Sequence, residues 1–330
     1  MIGHQNGDGF MKIIPLTAAI AIAVVASTVV AQSYPVKPVR LIVSAAAGGS
    51  LDIPARAVAE RLRDRLTLIV ENQPAAGGTI AVGNVAKATP DGYTMVYGFN
   101  GPLAYAPFLF SNLSYDPLKD LTPVILMGGQ PFALGVNTSL GVNSVKELVE
   151  LMRKNPGKYN YSSLGNGSAS HLSMELLKNM TRTFMVHIPY NGAPPAAAAL
   201  ATGDAQASFL PAVVMQPFVQ SGRIKILAVS TKERFPLTPE IPTVEESGGL
   251  KGFDSDGWNG ILAPTGTPRE VVLRVNRDIN DALASPEVRA VLTKAQIRPR
   301  GGSPEQFGEL MRSESQKWGP VIRYTGARLD

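Results

Sequence analysis

The chain has 330 residues, 45% of them hydrophobic and 17% charged, which places it among globular rather than disordered proteins and makes it long enough for two lobes. Its 31 basic and 26 acidic residues give a formal net charge of +5 with no block of five or more Lys or Arg, so no nucleic-acid patch is expected. There is no cysteine and only His4, His171 and His187 as histidines, which excludes disulfides, thiolate chemistry and a lipid-anchored cysteine, and leaves no basis for a histidine-rich metal centre or a cofactor.

Lys12 opens an uncharged run, Ile13 to Ala31, that ends in the small residues Val29-Val30-Ala31. The run fits a signal peptide over residues 1–31, cleaved before Gln32, with Met11 as an alternative start because Met1 to Phe10 do not resemble a leader. A retained anchor is the competing reading, since the run approaches the roughly 18-residue length of a membrane span. The polar, Pro-rich segment that follows, without stop-transfer charges, favours cleavage. The expected location is the periplasm.

Beyond the leader, short β-branched runs alternate with helical patterns. Val39 to Val43 reads as a strand, Leu51 to Arg65 as a helix, Thr67 to Glu71 as a strand and Gly77 to Lys87 as a helix. A Pro90-Asp91-Gly92 turn precedes the strand Tyr93 to Tyr97. This alternation predicts a parallel sheet covered on both faces. A second block repeats it, with strands over 132–137, 159–162, 184–188, 205–209 and 224–230 and helices over 142–155, 168–180 and 193–201. Phe235 to Pro242 reads as an irregular connection, Asn259 to Ala263 as a strand, and 268–283, 286–294 and 304–324 as closing helices. Two such blocks predict two lobes, 32–131 with 254–330 and 132–253, around a cleft.

In open α/β sheets ligands sit at the carboxyl ends of strands, which directs attention to three loops. In Ser44 to Asp52, Gly48 and Gly49 let backbone approach a ligand, Ser50 is placed to cap the helix, and the first-turn N–H groups make an anion site. Asp52 works against an anion there unless its charge is tied up, with Arg56 one turn on as the available partner. Ala75 to Thr79 repeats the design, as does Ser162 to His171 with several hydroxyls. Three such loops favour a carboxylate held by backbone N–H groups and hydroxyls over one held by Arg or Lys.

Ser168 and His171 stand three residues apart, but no G-x-S-x-G elbow and no orienting acid accompany them, so catalysis is not expected. No Walker loop, G-x-G-x-x-G or H-E-x-x-H occurs. His187, beside Ile188 in an apolar strand, reads as structural and Trp318 as core, while Trp258 either lines the cleft or packs the hinge.

Several segments then resemble the solute-binding component of tripartite tricarboxylate transporters, the Bug family. They are Gly48-Gly49-Ser50-Leu51-Asp52 with Ala55-Arg56, Val70 to Gly78, Pro90 to Thr94, Asp120 to Pro123, His187 to Gly192, Pro242 to Glu246 and Leu262 to Pro268. The resemblance runs from about Tyr34 to the C-terminus. It implies an α/β, two-lobed periplasmic-binding-protein fold of the type II, Venus-flytrap kind with a cleft between lobes. It implies ligand loops at Ala47, Gly48, Gly49, Ser50 and Asp52; at Gly78 and Thr79; from Ser163 through Gly165, Asn166, Gly167 and Ser168 to Ser170, with His171 added as a ligand-binding residue; and at Tyr190, Asn191, Gly192 and Ala193. The family usually has Pro where Ala47 stands, often Pro at Leu164, and commonly Lys at Asn191; these departures point toward a less charged or partly apolar ligand, aromatic carboxylates included.

The implied function is capture of a small organic carboxylate, a di- or tricarboxylate or an aromatic one, for the membrane permease subunits of a tripartite transporter, by a monomer. A ligand-presenting sensor and a secreted hydrolase acting on carboxylate esters are the competing classes.

Overall fold

The computed structural model describes residues 1–4, 34–190 and 192–329. The expected leader, apart from its first four residues, lies outside the described residues, as does Asn191. Two compact units divide the chain, Met1–Val36 and Lys37–Asp330, and every element below belongs to the second.

In chain order the first elements are β1 (Val39–Val43), α1 (Asp52–Leu62), β2 (Leu68–Asn72), α2 (Thr79–Ala86), β3 (Thr94–Phe99), α3 (Ala106–Leu109) and β4 (Leu121–Pro131). There follow β5 (Ala133–Asn137), α4 (Val145–Lys154), β6 (Asn160–Ser163), α5 (Ala169–Thr181), β7 (Val186–Pro189), α6 (Ala193–Thr202), β8 (Ala207–Leu210), α7 (Ala212–Gln220), β9 (Ile224–Val229) and α8 (Val244–Gly248). The chain closes with β10 (Asp256–Pro264), α9 (Arg269–Ala284), α10 (Pro286–Lys294), β11 (Arg298–Pro299) and α11 (Pro304–Thr325).

One sheet has six strands in the order β11-β4-β10-β3-β1-β2, the other five in the order β7-β6-β8-β5-β9. The purely parallel sheet expected from the alternation is not what forms. β1 pairs in parallel with β2 and β3, and β6 with β7 and β8, but β10 runs antiparallel between β3 and β4, and β5 antiparallel between β8 and β9. The reason is that the chain leaves the first sheet through β4 and β5 and returns through β10. Alternation of strand and helix reports local crossovers and carries no signal for a strand that comes back from another sheet.

β4 itself was not expected, because Pro123, Gly128, Gly129 and Pro131 make its sequence read as a loop; pairing on both edges overrides that weak propensity. The short helices α7 and α8 were likewise not anticipated.

Only Phe132 separates β4 from β5, and Asp256, which opens β10, pairs with Pro131, so the two crossings between sheets lie side by side. Buried Ser230 ties them together: its Oγ accepts from the Phe132 N–H at 3.0 Å and donates to Ser255 O at 2.7 Å. Burial follows the apolar periodicity, as in α9, where Val271, Val272, Val275, Ile279 and Leu283 turn to the interior. Trp318, Phe307 and Met311 of α11 belong to the main core.

Candidate ligand cavity

The carboxyl ends of β1, β2, β3, β6 and β8 all open onto one cavity of about 670 Å³. From the six-stranded side come Ser50 and Leu51 before α1, Ala76, Gly77 and Thr79 at the start of α2, and Phe99 to Pro102 after β3. The five-stranded side contributes Leu164, Asn166 to Ser170 and Pro211. Gln130 and Phe132 at the crossing, Gly257 to Asn259 of β10, Ala45, Ala106, Leu109 and Phe110, Ile297 and Leu329 complete the wall. No Asp, Glu, Lys, Arg or His side chain lines it among the described residues.

The first loop holds its acid out of the cavity. Asp52 is buried, and its Oδ2 accepts from the Gly48 N–H at 2.8 Å and from Arg56 Nε at 2.9 Å. Burial opposes the carboxylate's charge, but these donors hold Asp52 below its ordinary pKa, so it stays ionised. The Arg56 partnership expected from the spacing is therefore present. The cap expected from Ser50 is not: Leu51 stands at the N-cap position without a side-chain bond, and the Asp52–Gly48 contact closes the turn instead. Asp52 Oδ1 is a buried oxygen with no hydrogen-bond partner among the described residues.

Gly78 is required by close packing. It has φ +87°, and a Cβ there would lie 2.9 Å from Ser44 O, so the turn into α2 presses against the end of β1. Thr79 donates its hydroxyl to Ala76 O at 2.8 Å.

At α5, Ser168 is the N-cap: its Oγ accepts from the His171 N–H at 3.2 Å and its hydroxyl donates to Gly165 O at 2.7 Å. Ser168 N–H donates to Gly165 O, which leaves Ala169 and Ser170 with the first-turn N–H groups that have no partner among the described residues, both at the cavity wall. The Ser170 hydroxyl is spent on Phe209 O, 2.6 Å away. Asn166 and Gln130 carry side-chain amides without a partner among the described residues.

Of the residues expected to bind ligand, Ser50, Thr79, Asn166, Gly167, Ser168 and Ser170 line this cavity. Ala47, Gly48, Gly49, Asp52, Gly78, Ser163 and Gly165 stand behind the lining, in the same loops, and Tyr190, Gly192 and Ala193 are not part of it. His171 opens instead into a second cavity, with Glu175, Lys178 and His187. There the Gly167 N–H donates to His171 Nδ1 at 3.1 Å, so the ring carries its proton on Nε2. The His171 and His187 rings stack with centroids 4.1 Å apart, and Ser163 Oγ lies 2.6 Å from His187 Nε2. Burial, reinforced by Lys178, lowers His171 to a pKa of about 4; burial and His171 lower His187 to about 4. His187 stacks on Tyr161 and His171, and Ser168 Oγ meets His171 only through the backbone N–H of His171 among the described residues.

Phe99 and Asn100 were overlooked although the rule of carboxyl strand ends, applied to β3, would have found them. Phe132, Ile297 and Leu329 carry no local signal. Trp258 lines the cavity and is 3% exposed beside the crossing.

The pattern of the tripartite tricarboxylate transporter family receptor (TctC) matches residues 54–327. The chain belongs to that family. Its relative BugT of Bordetella pertussis is 34% identical over 315 residues, with 94% of this chain and 96% of that protein covered. The structure of Rpa4515 of R. palustris with adipate is 33% identical with a TM-score of 0.76, covering 90% of this chain and all of that one. MatC of Rhodopseudomonas palustris with bound malate is 32% identical with a TM-score of 0.72, covering 88% of this chain and 100% of that one. This TctC-type protein therefore has the two-lobed α/β fold of the family, and the family is one of receptors rather than enzymes. The hydrolase alternative falls with that assignment.

Proposed function

We propose that this receptor captures a small organic carboxylate in the periplasm and delivers it to the membrane permease subunits of a tripartite transporter. The lobe built on the six-stranded sheet and the lobe of residues 132–253 close on the solute about the paired crossings at Phe132 and Ser255. The observation that carries the reading is the cavity itself: lined by no charged side chain among the described residues, yet faced by the amino ends of α1 and α2 from one lobe and α5 from the other. A carboxylate there accepts from the Ala169 and Ser170 N–H groups and from the Asn166 amide, in the field of the α5 dipole. Lining from both lobes is what lets one solute favour the closed state.

The solute's body meets Phe99, Phe110, Phe132, Leu164 and Trp258, which suit aliphatic and aromatic carboxylates alike. The adipate and malate held by relatives support the carboxylate class. The leader over 1–31 supports export, and no helix among the described residues is long and apolar enough to cross a membrane. Thermal-shift screening of residues 32–330 against aliphatic and aromatic carboxylates tests the proposal. Ligand at a hundred times its Kd adds about 2.7 kcal/mol of stability, a clear shift in Tm. A flat response across both classes would remove the carboxylate reading.

A further inference from the structure

β10 enters the six-stranded sheet between β3 and β4, and Asn259 sits where it meets both, opposite Phe99 of β3 and opposite Gly128 of β4. Directly opposed residues of an antiparallel pair put their side chains on one face of the sheet. A Cβ at Gly128 would come within 3.1 Å of Ile297 Cγ2, so Ile297 occupies the space that glycine leaves on that face. Phe99, Asn259 and Ile297 thus stand side by side, and all three line the ligand cavity. A polar residue is held there between two apolar ones.

The amide of Asn259 is fixed at one end. Tyr97 donates its hydroxyl to Asn259 Oδ1 at 2.7 Å, and both side chains are buried. Burial pushes the Tyr97 pKa up, so the hydroxyl keeps the proton it donates. That bond decides which end of the amide is oxygen and leaves Nδ2 with two N–H donors that have no partner among the described residues. Among those residues the buried side-chain atoms without a partner come down to Asp52 Oδ1, so Nδ2 is open to the space that Asn259 lines. Asn100, at the end of β3, differs: its Nδ2 donates to Tyr105 Oη at 2.7 Å and to Asp256 O at 3.4 Å.

We infer that Asn259 is a specificity-determining residue, the donor by which the six-stranded side recognises a second oxygen acceptor on the carboxylate solute. The inference rests on the carboxylate reading above and adds a second point of attachment to it. The amino end of α5 belongs to the five-stranded side and Asn259 to the six-stranded one, so a solute that engages both joins the two sheets. A carbonyl oxygen or an oxygen of a second carboxylate accepts from Nδ2; a methyl or methylene group in its place leaves both N–H groups unpaired in a closed cleft, which costs free energy. The favoured solutes are carboxylates that carry a further carbonyl or carboxylate oxygen, in preference to plain alkanoates and benzoates.

The test is calorimetric titration of residues 32–330 with two matched series: hexanoate, 5-oxohexanoate and adipate, and benzoate, 4-acetylbenzoate and terephthalate. In the series it accepts, wild type is expected to bind a member with a second acceptor about tenfold more tightly than the plain acid. A gain for the dicarboxylate alone assigns the acceptor to a second carboxylate; a gain for the keto acid as well assigns it to any carbonyl oxygen. N259L removes the donors at similar volume and brings the affinity ratio to about one. N259D still accepts from Tyr97 but turns a carboxylate oxygen toward the solute, so the dicarboxylate then binds more weakly than the plain acid. Where N259L fails to fold because the Tyr97 hydroxyl is stranded, Y97F/N259L makes both partners apolar and carries the same expectation. A ratio unchanged from wild type in N259L or in the double variant overturns the inference while leaving carboxylate capture standing, as does a wild type that prefers the plain acids. Absence of binding by wild type to every member of both series overturns both readings.

Discussion

Trp258 and Glu314 are joined across 56 residues of sequence: the indole Nε1–H of Trp258 donates to Glu314 Oε2 at 3.0 Å. Trp318, one turn beyond Glu314 on α11, donates to the same oxygen at 2.9 Å, so both tryptophans of the chain converge on one buried carboxylate. Lys317 pairs with the other oxygen. Because Trp258 is part of the cavity wall, Glu314 fixes the position of a cavity-lining ring from behind.

Glu314→Ala is accordingly expected to cost about 2–6 kcal/mol of stability, since it strands two buried indole N–H groups at about 1–3 kcal/mol each. Glu314→Gln, which keeps an acceptor, should cost less. Urea denaturation of the two variants checks this, and an alanine variant as stable as wild type would show that the indoles find other partners.

The same convergence makes fluorescence a reporter. In Trp318→Phe the remaining Trp258 should give a saturable change in emission on titration with a bound carboxylate, at the Kd found by calorimetry. Trp258→Phe should be silent. A response in the second variant and none in the first would place the ligand away from Trp258.

The stacked histidines give a pH dependence whose sign follows from their lowered values. The unfolded chain protonates each at about 6.5, but the folded one only near 4, so the folded state is favoured above pH 6.5 and loses that advantage as pH falls from 6.5 toward 4. Asp256 acts oppositely, because burial, against Arg300, pushes its carboxyl up to about 6 and the folded state gains as that group protonates. The informative measurement is therefore a difference: His187→Asn should be less sensitive than wild type to acidification between pH 6.5 and 4. Parallel stability curves for the two proteins would argue against protonation of the pair as the cause.

An uncharged lining also predicts a weak salt dependence. Carboxylate affinity should change by less than about threefold between 50 and 500 mM NaCl, because among the described residues no Lys or Arg side chain lines the cavity to be screened. A steep decline would point to a cation entering the site on closure.

What the sequence determined by itself lies in local patterns. β1 and β2 announce themselves as β-branched runs before glycine-rich turns, and the loops after β1, β2 and β6 carry the helix starts that face the cavity. Their residues follow from chain-local periodicity and turn chemistry, and the family motifs lie along the same segments. Tertiary structure alone decided which side of a loop each residue serves. Ser168 and His171 share one turn of α5, yet one lines the ligand cavity and the other opens into the space behind it. It also decided that β10 returns antiparallel between β3 and β4, that Glu314 holds Trp258, and that Tyr97 holds Asn259. Each of these joins segments far apart in the chain through packing, and the partners leave no periodic trace in one another's sequence.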